Sequence, residues 1–238
     1  MSEDTLIQAR DVTKVYQSGM VASTALHGVT LEVAAGDFLT IVGPSGSGKT
    51  TFLNLIGALD RPTSGTLSVF GEDISKMSKS DRADLRLRRL GFVFQAYNLV
   101  PVLTARENVE FVLELQGMGA ERSHRARDVL GQLGLVDFAD RRPNELSGGQ
   151  QQRVAVARAV ASRPRLVLAD EPTANLDGEN AEMLIEMMRT LNRDEGITFV
   201  FSTHDPRVVR HAGRVVTLED GKVSKDEWRT PEPAGANA

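Results

Sequence analysis

Gly43-Pro44-Ser45-Gly46-Ser47-Gly48-Lys49-Thr50 follows the β-branched and apolar run Phe38-Leu39-Thr40-Ile41-Val42 and opens into Thr50 to Leu59, which predicts a helix. Strand, glycine loop, lysine–threonine and helix in that order suit the phosphates of a nucleotide. Glycines let backbone N–H groups approach phosphate oxygens where a Cβ would intrude. The helix N-terminus beyond them adds unpaired N–H groups and a positive dipole end. Lys49 can reach β- and γ-phosphates, and the Thr50 hydroxyl can hold Mg²⁺. The competing explanation is a glycine-rich turn that happens to precede a lysine. With glycine at about 7% of average composition, that coincidence is roughly a one-in-a-hundred event, and the strand–loop–helix context lowers it further. The stretch predicts a site for ATP or GTP.

The bulk numbers agree with a soluble nucleotide-binding core. A chain of 238 residues can bury a substantial core as one large domain or a core with a subdomain. Its 28 basic and 32 acidic residues give no global pull toward nucleic acid or an anionic membrane. No cysteine is present, which excludes disulfides and thiolate metal sites and is compatible with a reducing cytosol. Met1-Ser2-Glu3-Asp4 is acidic and not apolar, so no secretory signal is expected. No run approaches the length of a membrane span, so any membrane role requires a partner.

Around the loop, Leu6 to Tyr16, Thr24 to Val33 and Gly65 to Phe70 predict strands, and Ser80 to Arg89 a charged helix before the apolar Leu90 to Phe94. From about Thr104 to Arg163 helical periodicity dominates, which reads as a helical subdomain inserted into an α/β core. The core resumes with the strand Leu166 to Ala169. Leu184, Met187, Met188 and Leu191 then mark the buried stripe of a helix whose opposite face carries Glu182, Glu186, Arg189 and Arg193. Thr198 to Ser202 and Val215 to Leu218 are further strands, the latter leading into a hairpin turn at Glu219-Asp220-Gly221-Lys222. The stretch 227–238, with Pro231, Pro233 and alanines near its end, predicts a disordered tail in which Trp228 is a loose packing contact.

Polar groups follow several of these strands. Asp170 and Glu171 end one, and parallel α/β sheets bind ligands off their carboxyl ends. Asp170 can hold Mg²⁺ with Thr50, and Glu171 can accept a proton from an attacking water. Helix capping is the alternative use of the two acids. Gln95 follows Gly91 to Phe94 and either completes a magnesium or water shell or satisfies backbone groups. His204 follows Thr198 to Ser202 and either donates to a γ-phosphate or is an ordinary loop residue. Leu146-Ser147-Gly148-Gly149-Gln150, before a helix running toward Ala161, supplies a second anion-ready helix end or an ordinary serine cap.

Together these residues resemble an ATP-binding-cassette (ABC) ATPase over roughly Leu6 to Lys225. Gly43–Thr50 matches that family's Walker A, with Thr51 beside it, and Leu166–Glu171 matches its Walker B. Gln95 matches the Q-loop, Ala174-Asn175-Leu176-Asp177 the D-loop, His204 the switch histidine and Leu146–Gln150 the signature. Tyr16 stands where the family places an aromatic on adenine; a rim residue would look the same. The resemblance implies a P-loop NTPase of the α/β class, with a RecA-like core (about 5–90 and 163–226), an antiparallel β subdomain and an inserted helical signature subdomain (about 96–162), the whole forming one domain over 5–226. It implies ATP and Mg²⁺ as cofactors, with Thr50, Gln95 and Asp170 at the metal and Glu171 and His204 as catalytic residues. It further implies a head-to-tail dimer in which Leu146, Ser147, Gly148, Gly149, Gln150 and Asp177 serve the partner's ATP.

Arg88-Arg89-Leu90-Gly91-Phe92-Val93-Phe94-Gln95, Leu59-Asp60-Arg61-Pro62-Thr63-Ser64-Gly65 and Leu103-Thr104-Ala105-Arg106-Glu107-Asn108-Val109 are similar to the lipoprotein-release and macrolide-export (LolD/MacB-like) branch. That branch implies an FtsX-like membrane permease as partner, no nucleic acid, and a cytoplasmic place on the inner face of the membrane. Ala174 departs from the glycine usual there, which implies a tuned dimer contact. A soluble cassette ATPase of DNA repair or translation is the rival reading. It is disfavoured by the single cassette, the lack of zinc cysteines and the acidic balance.

Overall fold

The computed structural model describes residues 5–19 and 21–230. In chain order the elements are β1 (Thr5–Ser18), β2 (Val21–Ala34), β3 (Phe38–Val42), α1 (Lys49–Ile56), β4 (Ser64–Val69), β5 (Glu72–Asp73), α2 (Lys79–Arg89) and β6 (Leu90–Phe94). Then follow α3 (Ala105–Leu115), α4 (Arg122–Gln132), α5 (Gly148–Val160), β7 (Leu166–Asp170), α6 (Gly178–Glu195), β8 (Thr198–Ser202), α7 (Pro206–His211), β9 (Arg214–Glu219) and β10 (Lys222–Trp228).

Two sheets result. One is antiparallel in the order β2-β1-β4-β5; the other runs β10-β9-β3-β8-β7-β6, parallel throughout except for the edge hairpin of β9 and β10. The short apolar runs became parallel strands because both faces of that sheet are covered, so no polar alternation is needed. Alternate residues serve opposite layers. Phe199 and Phe201 of β8 join one core with α3 to α6, while Val200 joins the other with Leu39, Ile41 and the α1 residues Phe52, Leu55 and Ile56. The expected stripe on α6 holds for Leu184, Met188 and Leu191, with Met187 packed against the same core. Between β6 and β7 only helices and turns occur. Gly91 lets α5 lie close on β6, since a Cβ there would strike the Ala159 carbonyl.

Two boundaries differ from expectation. The helix after the phosphate loop stops at Ile56, short of Leu59, because Gly57 caps it and Ala58 takes a left-handed φ of 54°. Gly57 also packs where a Cβ would come within 2.8 Å of the Phe92 ring. The stretch predicted to be disordered from residue 227 begins instead with ordered strand: Glu227 and Trp228 pair with Val215 and Arg214. Residues 231–238 lie outside the described residues. The reason for the added order is Arg214. Its guanidinium donates Nε and one NH₂ to Asp226 at 2.8 and 2.7 Å, and the other NH₂ to the Glu32 carbonyl at 2.7 Å. It also stands 3.5 Å from Asp37 and 4.9 Å from the centre of the Trp228 ring, which is itself 69% exposed.

Burial raises the Asp37 carboxyl above its usual range, with the Ala34 amide and Arg214 pulling the other way. Removing Arg214, only 8% exposed, would leave Asp37 buried without its cation. Arg214→Met should therefore cost about 3 kcal/mol, lowering the thermal midpoint by roughly 6–12 °C. A calorimetric midpoint within two degrees of the parent would refute this clasp.

Candidate nucleotide site

β3, β7 and β8 end along one line, and the loops that leave them enclose a cleft of about 580 Å³. Gly43, Pro44, Ser45, Gly46, Ser47, Gly48, Lys49, Thr50, Thr51, Gln95, Glu171 and His204 all line it. At two of its positions that loop has no room for a side chain. Gly48, the residue before α1, has φ 99°, and a Cβ would stand 2.6 Å from the Ala25 carbonyl; Gly43 has φ 150° and is pressed against the Leu218 carbonyl. No side chain caps α1, so its first N–H groups are free to face an anion. Lys49 folds back over the loop, donating from Nζ to the carbonyls of Gly43 (2.8 Å) and Pro44 (3.0 Å).

Thr50 Oγ1 donates to Asp170, 3.0 and 3.2 Å from its two oxygens, joining the start of α1 to the end of β7. Glu171 follows in a left-handed conformation with φ 48°, which costs on the order of 1–3 kcal/mol for a residue with a side chain. Its backbone N–H donates to the Ser202 carbonyl at 2.8 Å, and Thr203 Oγ1 donates to Oε2 at 3.0 Å. Oε1 lies 2.7 Å from His204 Nδ1. A carboxylate can only accept, so Nδ1 carries the hydrogen and Nε2 of this exposed ring faces outward as an acceptor or, when protonated, a second donor.

Other expected residues fall elsewhere. Leu146 is buried, while Ser147 caps α5 in a reciprocal box: its hydroxyl accepts from the Gln150 N–H at 3.3 Å, and the Gln150 side chain accepts from the Ser147 N–H at 2.8 Å. Gly148 and Gly149 pack near Tyr97 and Asn180. None of these five lines the cleft of its own chain. Asp177 caps α6 through Asn180, whose backbone and side-chain hydrogen bonds hold its carboxyl below the usual range. Tyr16 is exposed on β1, with Lys14 Nζ 4.9 Å from its ring centre; it too is outside the cleft lining.

Sequence reasoning passed over Ala25, Ser202 and Thr203. Ala25 comes from β2, and nothing local marks it. Thr203 was visible only as the neighbour of His204. Asn175 ties two loops at the cleft rim, its amide donating to the Gln95 carbonyl at 2.9 Å.

The fold and the cleft define a P-loop NTPase of the α/β class. Similarity to known proteins narrows the class. The family model described as ABC transporter matches residues 26–174, and the chain belongs to that family. It is 47% identical to "Lipoprotein-releasing system ATP-binding protein LolD 1" of Caulobacter vibrioides, over 93% of this chain and 95% of that one. It is 44% identical to "Macrolide export ATP-binding/permease protein MacB" of Syntrophobacter fumaroxidans, over 93% of this chain but 31% of the longer relative. Among solved structures, the ATP-binding cassette MJ0796 of Methanocaldococcus jannaschii, a dimer in a post-hydrolysis state bound to ADP and Pi, superposes with a TM-score of 0.87 at 42% identity. That match covers 94% of this chain and 98% of the other.

Asp205 anchors the loop behind the cleft. Burial pushes its carboxyl up, but hydrogen bonds from Arg207 and Thr173 prevail and hold it below the ordinary 3.8. A depressed folded-state value means that Asp205 contributes stability above the unfolded value and loses it as the pH falls through the folded one. The difference in urea midpoint between the parent and Asp205→Asn should thus be full above about pH 5 and shrink toward pH 3. A difference independent of pH would overturn this account.

Proposed function

We propose that the chain is the ATP-hydrolysing subunit that powers a separate membrane permease, of the FtsX-like type, for export or extraction of lipoprotein, macrolide or peptide-type cargo. The observation that carries the reading is the convergence on the phosphate-loop cleft of Thr50, which hydrogen-bonds Asp170, and of the Glu171–His204 pair. Kinship with LolD and MacB supports the choice of cargo class. No helix among the described residues is long and apolar enough to cross a membrane. Kinship with the LolD and MacB components supports a place on the cytoplasmic face, reached through the permease.

Lys49 and the N–H groups of the loop bind the β- and γ-phosphates, Lys49 exchanging its carbonyl contacts for phosphate oxygens. Glu171 accepts the proton of the attacking water, and His204 turns a ring N–H to the γ-phosphate. Thr50 and Asp170 offer oxygen donors of the kind Mg²⁺ takes and would hold the ion, with Gln95 as a further oxygen ligand. When bound, the ion neutralises charge on the phosphate oxygens. Tyr16 meets the adenine.

The second helix end explains what one cleft lacks. Ser147, exposed at the N-terminus of α5, together with Leu146, Gly148, Gly149, Gln150 and Asp177, covers the nucleotide of a second copy in a head-to-tail dimer. Closure excludes water and strengthens the electrostatics at the γ-phosphate. Hydrolysis restores repulsion and releases the pair, and the Gln95 segment passes the motion to the permease. In this reading 5–90 and 163–226 form the RecA-like core and 96–162 the inserted helical subdomain of one ATPase domain.

Glu171→Gln should keep ATP binding and lose at least ~10²-fold in turnover; phosphate release at the parent rate would remove Glu171 from the proton-accepting role. The same variant should dimerise only with ATP, and adding Ser147→Arg should abolish the dimer. Sedimentation that is insensitive to nucleotide in Glu171→Gln would count against the shared site.

A further inference from the structure

Thr203 has no role in the mechanism above, yet it is fully buried and touches the centre of it. Its hydroxyl accepts the backbone N–H of Asp205 at 3.0 Å and lies 3.0 Å from Glu171 Oε2. A hydroxyl has one hydrogen. Because the amide can only donate, that hydrogen must go to the carboxylate, and the rotor is fixed. Glu171 is then held at both oxygens by unlike partners: Oε2 by a buried hydroxyl, Oε1 by a histidine whose side chain is 77% exposed.

The support behind Thr203 is rigid. The Asp205 carboxylate accepts from Thr173 Oγ1 at 2.7 Å and from Arg207 Nε and NH₂ at 2.7 to 3.0 Å. Thr173 lies two residues beyond Glu171, so the links Glu171–Thr203–Asp205–Thr173 close a ring between the loops after β7 and β8. A ring of this kind over-determines the left-handed backbone of Glu171, which its own propensity does not favour.

We propose that Thr203 is a positioning residue for Glu171. Its hydroxyl fixes the carboxylate rotamer and keeps the Oε1 edge turned to the cleft. His204 is thereby free to leave Glu171 for the γ-phosphate without the carboxylate losing its place. The proposal rests on the reading of Glu171 as proton acceptor.

The test is ATP turnover by the full chain carrying Thr203→Val, which keeps the shape and deletes the hydroxyl. We expect kcat to fall about tenfold with KM for ATP within about twofold, and Thr203→Ser to restore most of the rate. In a Glu171→Gln background, single-turnover hydrolysis should show no further loss from Thr203→Val, because the two residues act as one unit. A Thr203→Val chain with kcat within about twofold of the parent, or an equal tenfold loss in both backgrounds, would overturn the proposal. If valine prevents folding, as judged by circular dichroism, Thr203→Ala carries the same expectations. Parent-like turnover by Glu171→Gln alone would instead bring down the proton-acceptor reading, and this proposal with it, whereas a failure confined to the Thr203 variants leaves that reading standing.

Discussion

The parallel register of β3, β8 and β7 is what brings the chemistry together. Ile41 lies beside Ser202, and Ser202 beside Asp170, so β7 and β8 run out at the same height and β3 one residue beyond. The residues that follow, Gly43, Thr203 and Glu171, therefore leave the sheet as neighbours. A slip of one residue in β8 would exchange Phe199 and Phe201 with Val200 between the two cores. Burial on both faces thus sets the position of the groups that line the cleft: the apolar layers hold the register, and the register aligns the polar ends.

Around that line, the loops are stitched by directed hydrogen bonds that the core does not supply. Thr50 reaches across to Asp170, Asn175 to the Gln95 carbonyl, and Thr173 to Asp205. These links set the shape of the cleft while leaving Lys49 and His204 on its open side. The local strain at Glu171 sits where the residue lines the cleft, and it is offset by contacts from three neighbouring residues, Ser202, Thr203 and His204. The cap at Ser147 belongs to a different edge of the molecule, which is why a second copy enters the proposed cycle at all.

Much of this was legible in the residue order because the physical causes are local. The glycine loop, the apolar runs before Gly43, Gln95, Glu171 and His204, and the serine before two glycines each announce a backbone geometry within a few residues. The ends of elements were harder. Gly57 ends α1 where Phe92 and Leu168 leave no room, and Arg214 keeps Glu227 and Trp228 in a strand through contacts with Asp226 and with the carbonyl of Glu32. Both effects come from residues far away in the chain.

The amino-acid order alone determined that this chain has a phosphate loop on a buried strand, an acidic pair at a second strand end and a capped, glycine-led helix, since each follows from side-chain size, polarity and short-range spacing. Only the tertiary structure decided that Thr203 meets Glu171 and that Ser147 does not meet its own chain's loop. Those relations depend on strand order and helix placement, which arise from the packing of two cores and leave no trace in any single stretch of sequence.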